Sequence, residues 1–372
     1  MKKSLVIFLL IVLVLSCSKS KETVNDFSII NLKWNQSYSS QTIEDVTKGL
    51  NWTLSNIGVS LKFSSSDYLQ VSNSILELNI KALNFESNGR EILLKLHESI
   101  YSSDEYILNN SVDIGRYVCL LIGAPNHYNE LVGVPNSLQD ILSKYQLLPD
   151  KGKINNSSIS LVDRVIEYSL QENELQLLLS TEVDSATNSI YEFETIEIMK
   201  NGQLKFGVYD KNGFLKTAAD ESITNAGKIA KCMWCHESNI AQLINTQTNE
   251  PGFLSSLQLE NTLRMYNQKL FSSQVTRTNN VVDYINLQEH TKMELLYISF
   301  MNPSAQRLSE EWNMSQSDVF IRLSSLARHT YSEFPFLGLL YHRDEVKRYA
   351  PVTGLAVSSS VREKSLIEVN HL

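Results

Sequence analysis

The chain is poor in cysteine, in positive charge and in long apolar runs, and each scarcity excludes something. Four cysteines in 372 residues do not make a disulfide scaffold, and a chain this long does not need one. Lys and Arg number 33 against 41 Asp and Glu, a net charge of −8. Nucleic acid is a poor partner for such a chain, because its binding rests on neutralising phosphates. A composition of 42% hydrophobic and 20% charged residues excludes both a disordered chain and a polytopic membrane protein. No internal repeat, glycine-rich phosphate loop, G-x-S-x-G or paired-carboxylate signature stands out. What is left is a globular composition with length enough for two cores.

The one long apolar run, Leu5 to Leu15, follows Lys2 and Lys3 and is too short to span a bilayer comfortably. It leads into Val14-Leu15-Ser16-Cys17, which resembles the lipobox of bacterial lipoproteins. The resemblance implies lipid attachment at Cys17 and cleavage before it; an uncleaved N-terminal anchor is the alternative. Either reading puts the rest of the chain outside the cytoplasm. Residues 1–16 are then a signal peptide, and losing Lys2 and Lys3 takes the net charge from −8 to −10. Residues 17–26 read as a polar tether. Ser18 after Cys17 resembles an outer-membrane rather than inner-membrane sorting signal.

The remainder reads as α+β: a mixed region over 27–216, a mostly helical region over 217–350, and a tail over 351–372. Ile43, Val46, Leu50 and Leu54 share a helix face within 42–57. Residues 75–83 alternate as a strand with Leu76, Leu78, Ile80 and Ala82 on one side. Ser87-Asn88-Gly89 breaks the pattern before a helix over 90–101. The compact run 114–123 reads as a buried strand, with a short helix as the alternative. Across 159–216 four or five strands alternate in an antiparallel meander. Asn201-Gly202 signals a hairpin in which both central residues take positive φ, and Asn212-Gly213 marks the next turn. Asp210 to Gly213 faintly resembles a calcium loop, but the remaining ligands are missing and a plain turn is the better reading. Helical periodicity returns at 254–272, 283–301 and 315–328, with Ser315 and Asp318 placed as a cap. Residues 307–328 superficially suggest a helix-turn-helix, and packing between helices is preferred on charge and compartment. His127 reads as a loop residue at the surface.

Chemistry concentrates in Cys232-Met233-Trp234-Cys235-His236. This C-x-x-C-H resembles the covalent haem attachment motif of monohaem c-type cytochromes, and the resemblance covers these five residues. It implies one haem c, thioether-linked at Cys232 and Cys235, with His236 as the proximal iron ligand. Haem is attached outside the cytoplasm, which agrees with the N-terminal signal. Three other readings of the pair remain: a dithiol redox site, a zinc site and a strained disulfide. Sorted this way, Cys17 goes to lipid, Cys232 and Cys235 go to haem, and Cys119 is a buried thiol.

The sixth iron ligand is open among Met265, Met293, Met301, Met314 and His290, ranked Met301, then Met293, then His290. Met301 precedes Asn302-Pro303, a helix stop that can present a thioether from a turn. Met293, Leu296, Tyr297, Phe300 and Met301 also form a helix face, so core packing competes for each methionine. Trp234 packs on the macrocycle or simply in the core. The leading expectation is one-electron transfer with a periplasmic redox protein, on a lipid-anchored envelope protein. The alternatives are a haem enzyme or gas or peroxide sensor with an open sixth position, and a non-haem lipoprotein whose C-x-x-C is redox-active or structural.

Overall fold

The computed structural model describes residues 26–61, 64–240, 245–277 and 281–372. The signal peptide, Cys17 and all but the last residue of the tether lie outside the described residues. The architecture is α+β, with a mixed sheet and an antiparallel meander first and a helical region after.

The first layer is a four-stranded sheet built around β1 (Ile29–Lys33). Helix α1 (Ile43–Asn56) follows, opened by a capping box between Thr42 and Asp45. Short β2 (Val59–Ser60) then leads to β3 (Leu69–Ser72) and β4 (Ile75–Asn79). The expected strand stops at Asn79 because residues 80–82 turn into a single 3-10 turn. Leu76, Leu78 and Ile80 are buried as expected, while Ala82 is exposed. After β5 (Asn84–Phe85) come α2 (Gly89–Tyr101), α3 (Asp104–Asn109) and β6 (Val112–Asp113). The sheet order is β3-β4-β1-β6, with β6 parallel to β1.

Residues 114–123 correct the strand reading. They form α4 (Ile114–Val118), continued by a π-helical turn over Cys119–Gly123. Asp113 caps it by accepting from Gly115 N–H and Arg116 N–H. The run is apolar on every side because it is buried on every side, so its period could not separate helix from strand. Cys119 is 2% exposed, as expected, and burial raises its thiol to about 12. Next come α5 (Pro125–Val132) and α6 (Leu138–Leu142). His127 lies within α5 and is fully buried, which corrects the surface-loop reading. Its ring nitrogens bridge Leu120 O and the His371 N–H, so the polar ring is matched without water.

The meander is a five-stranded antiparallel sheet: β7 (Gly152–Ile154), β8 (Asp163–Gln171), β9 (Glu174–Val183), β10 (Ile190–Ile198) and β11 (Leu204–Asp210). The turn between β10 and β11 differs from expectation. Gly202 N–H donates to Met199 O, and Gly202 alone takes the left-handed φ of 92°. That is a three-residue loop closed by a glycine bulge, which needs one positive φ rather than two. Asp210 accepts from the backbone of Asn212 and Phe214, so the faint calcium loop is a plain turn.

The helical region begins with α7 (Ile229–His236), then α8 (Ser256–Val275), α9 (His290–Met301), α10 (Ala305–Trp312), α11 (Gln316–Arg322) and α12 (Arg343–Val346). The segment expected from 283 becomes α-helical only at His290. Helix α9 lies against α1, where a Cβ on Gly49 would sit 2.7 Å from Lys292 O, so only glycine permits that approach. Buried side chains form a continuous cluster that includes Leu76, Leu177, Phe206, Met233, Leu259 and Phe300. The sequence boundary at 216 is therefore crossed by packing. Helices α10 and α11, the segment that resembled a helix-turn-helix, pack on each other around Leu308, Trp312 and Val319. Among the described residues no helix is long and apolar enough to cross a membrane.

Candidate functional site

Helix α7 carries the whole C-x-x-C-H motif in its last two turns. Cys232, Cys235 and His236 fall at i, i+3 and i+4, so they project on one stripe of the helix. The helix ends abruptly in two left-handed residues, Glu237 (φ 44°) and Ser238 (φ 63°). Non-glycine residues adopt that conformation only when their surroundings fix it. Here Ser238 Oγ donates to Gln203 Oε1 at 2.6 Å, and Gln274 Nε2 donates to Ser238 O at 2.8 Å. The turn is thereby tied to the start of β11 and to α8.

The turn brings the Asn239 carbonyl back to 3.0 Å from His236 Nδ1. A carbonyl can only accept, so Nδ1 carries the proton and Nε2 carries the lone pair. This is the arrangement that orients a metal-binding histidine. Burial pulls the imidazole down to about 4, opposed by the Asn239 hydrogen bond and assisted by the nearby Arg164 charge. The ring is therefore neutral at physiological pH, and Nε2 has no hydrogen-bond partner among the described residues.

Cys235 and His236 line a cavity of about 330 Å³ between α7 and the meander. The opposite wall is one face of the sheet, set by register: Arg164 pairs with Glu182, Ile166 with Ser180, Ile196 with Leu178 and Glu194 with Ser180. Apolar groups dominate that wall through Ile166, Leu178 and Ile196, and Leu263 closes it from α8. Arg164 Nε donates to Glu182 Oε1 at 2.5 Å, and its Nη2 donates to Glu194 Oε2. Ser160 and Ser180 hydroxyls also donate to Glu182. Burial raises the Glu182 carboxyl to about 7, with Arg164 holding it back from rising further.

The thiols are not joined to each other. Burial pushes both Cys232 and Cys235 above the ordinary thiol value. A dithiol redox site needs the opposite shift and commonly a helix N-terminus, whereas this motif closes a helix. Among the described residues no group of three or more His, Cys, Asp or Glu is arranged to hold a metal ion, which gives the zinc reading no support. Trp234 packs between Tyr297, Phe334 and Arg362, whose guanidinium lies 4.1 Å over the indole.

Two protonated thiols and a pre-oriented imidazole, the set that covalent haem attachment and proximal ligation would use, share one helix face; Cys235 and His236 line the cavity, and Cys232 does not. The distal candidates are placed elsewhere. Met293 is fully buried, its sulfur accepting from Asn56 Nδ2 at 3.7 Å. His290 is buried with Nδ1 2.7 Å from Glu294 Oε1, and its ring lies edge-on to Trp52. Met301 is partly buried against the core at the end of α9, Met314 packs beside Trp312, and Met265 is exposed. None of the five lines the cavity that His236 faces.

The sequence reading did not single out Arg164, Glu182 or Glu194. Their only signal is charge at alternate positions of strands whose other same-face residues are apolar, and it acquires meaning only with the register. No protein-family model, curated protein or solved structure matches the chain.

Proposed function

We propose that this is an exported protein, lipid-anchored at Cys17, that carries one haem c through Cys232 and Cys235 with His236 as proximal ligand. The observation that carries the reading is the His236 imidazole, held as the Nδ1–H tautomer by Asn239 O with Nε2 left for iron. The bound group would supply an iron centre cycling between ferric and ferrous. Cys232 and Cys235 would hold it covalently, and His236 would ligate the iron and tune it. The cavity beside His236 is about 330 Å³, at the lower end for small-molecule sites, so it would not enclose a whole tetrapyrrole. An exposed edge is what one-electron transfer with a periplasmic redox protein requires.

A second reading has its own support. Among the described residues, His236 is the one His or Met side chain lining the cavity. That favours an iron with an open sixth position, able to bind peroxide or a diatomic gas. Both readings are tested by purifying the protein from a host that matures c-type haem and recording the reduced pyridine haemochrome. A c-type spectrum is expected, and absence of covalent haem overturns both.

A further inference from the structure

The meander has two faces, and the one turned away from His236 carries a second cavity. Strand register sets Val165 opposite Thr181, Glu167 opposite Leu179 and Thr181 opposite Phe193, so these five side chains share that face. Arg164, Ile166, Leu178 and Ile196 alternate with them and line the cavity beside His236. Leu138 and Leu142 of α6, with Phe253 from the loop before α8, complete a groove of about 390 Å³ over the first face. That volume is within the range of small-molecule sites. Leu138, Leu179 and Val183 are buried along it, so the groove is sunk into the core.

Three acids belong to this face of the sheet, and two of them are neutralised. Asp163 lies 3.0 Å from Lys153 Nζ, which also reaches Glu250 at 2.7 Å. Glu197 holds Lys205 at 2.8 Å and accepts from the Tyr145 hydroxyl at 2.9 Å. Glu167 lines the groove half-buried, and its carboxylate makes no ion pair or hydrogen bond among the described residues. Lys151 makes no ion pair either; its Nζ stands 5.5 Å from the Phe253 ring centroid. A carboxylate partly withdrawn from water against aliphatic groups is stabilised by a cation brought to it.

We propose that this groove binds a small organic cation with an apolar chain, of the primary alkylamine class. The ammonium donates to the Glu167 carboxylate, and the chain lies against Leu142, Leu179 and Phe193. Phe253 already carries two lysine ammoniums over its ring, at 5.5 and 5.8 Å, so positive charge is accommodated at that end. A fatty acid offers the same chain but brings like charge to Glu167, and an alcohol gains no ion pair. The groove lies across the sheet from the C-x-x-C-H motif, so the inference is independent of haem and of the N-terminal anchor.

The test is calorimetric titration of the full chain at neutral pH with octylammonium, octan-1-ol and octanoate, which share a chain length and differ in charge. Octylammonium is expected to bind about tenfold tighter than octan-1-ol, and octanoate to bind weakest. Glu167→Gln keeps the side-chain shape and removes the charge. It is expected to weaken octylammonium about tenfold and to leave octan-1-ol within about twofold. Glu98→Gln, at an exposed position of α2, removes the same net charge elsewhere and is expected to change neither. Unchanged octylammonium affinity in Glu167→Gln, an equal loss in Glu98→Gln, equal affinity for the three probes, or no saturable binding by the wild-type chain overturns the proposal.

Discussion

His236 Nδ1 and the Asn239 carbonyl oxygen stand 3.0 Å apart, three residues apart in sequence, across two left-handed residues. That one bond decides which ring nitrogen is available, and so turns a sequence motif into an oriented ligand. The strain in Glu237 and Ser238 is held by Gln203 and Gln274, which belong to different layers of the fold. The site is positioned by the whole core rather than by α7 alone.

The tautomer can be read directly. In haem-free protein labelled with ¹⁵N, His236 is expected to show the Nδ1–H form and to stay neutral until pH approaches about 4. A ring that titrates near 6.5, or rests as the Nε2–H form, contradicts the geometry.

His127 makes stability acid-sensitive. Its Nδ1–H donates to Leu120 O at 2.7 Å, and its Nε2 accepts from His371 N–H at 2.9 Å. Burial pulls its folded value from 6.5 to about 4. As pH falls, the unfolded chain therefore takes up this proton first. The stabilisation is full above pH 6.5 and is lost towards about pH 4, where one such group is worth about 3 kcal/mol. Urea titrations across this window are expected to show a shallower fall for His127→Gln than for wild type. Equal slopes contradict the assignment.

Arg307 and Asp113 join the helical region to the N-terminal sheet. Both are almost fully buried, and Arg307 Nη2 lies 2.6 Å from each Asp113 oxygen. Arg307→Met leaves the Asp113 carboxylate buried and uncompensated, an expected loss of about 3–5 kcal/mol in urea unfolding. The double variant with Asp113→Asn is expected to recover part of that loss. A single variant within about 1 kcal/mol of wild type contradicts a desolvated pair.

Lys228 pins the start of α7 to the C-terminal tail. It is fully buried, with Nζ 3.2 Å from Gly123 O, 2.5 Å from Ser360 O and 2.8 Å from Glu368 Oε1. Lys228→Met is expected to speed maleimide labelling of Cys232 in haem-free protein by about tenfold, through easier local opening of α7. Labelling of the exposed Cys235 changes little. Unchanged Cys232 labelling shows that the tail does not hold the motif helix.

Where one face was buried and one was wet, period and turn residues sufficed. Thr42 with its amphipathic face gave α1, and the alternation between Leu175 and Met199 gave the meander. Residues 114–123 failed because complete burial erases periodicity. The left-handed pair Glu237-Ser238 is invisible in sequence because its cause lies at Gln203 and Gln274. The motif itself was legible, since two thiols and an imidazole at fixed spacing need no tertiary information. The opposite wall was not, since Arg164, Glu182 and Glu194 meet only through strand register.

The most direct measurement is denaturing electrophoresis of protein from a haem c-maturing host, stained for haem. Wild-type chain is expected to keep its haem after full unfolding, and Cys232→Ala/Cys235→Ala to lose it. Haem absent from the wild-type band, or retained by the double variant, contradicts attachment at these two cysteines.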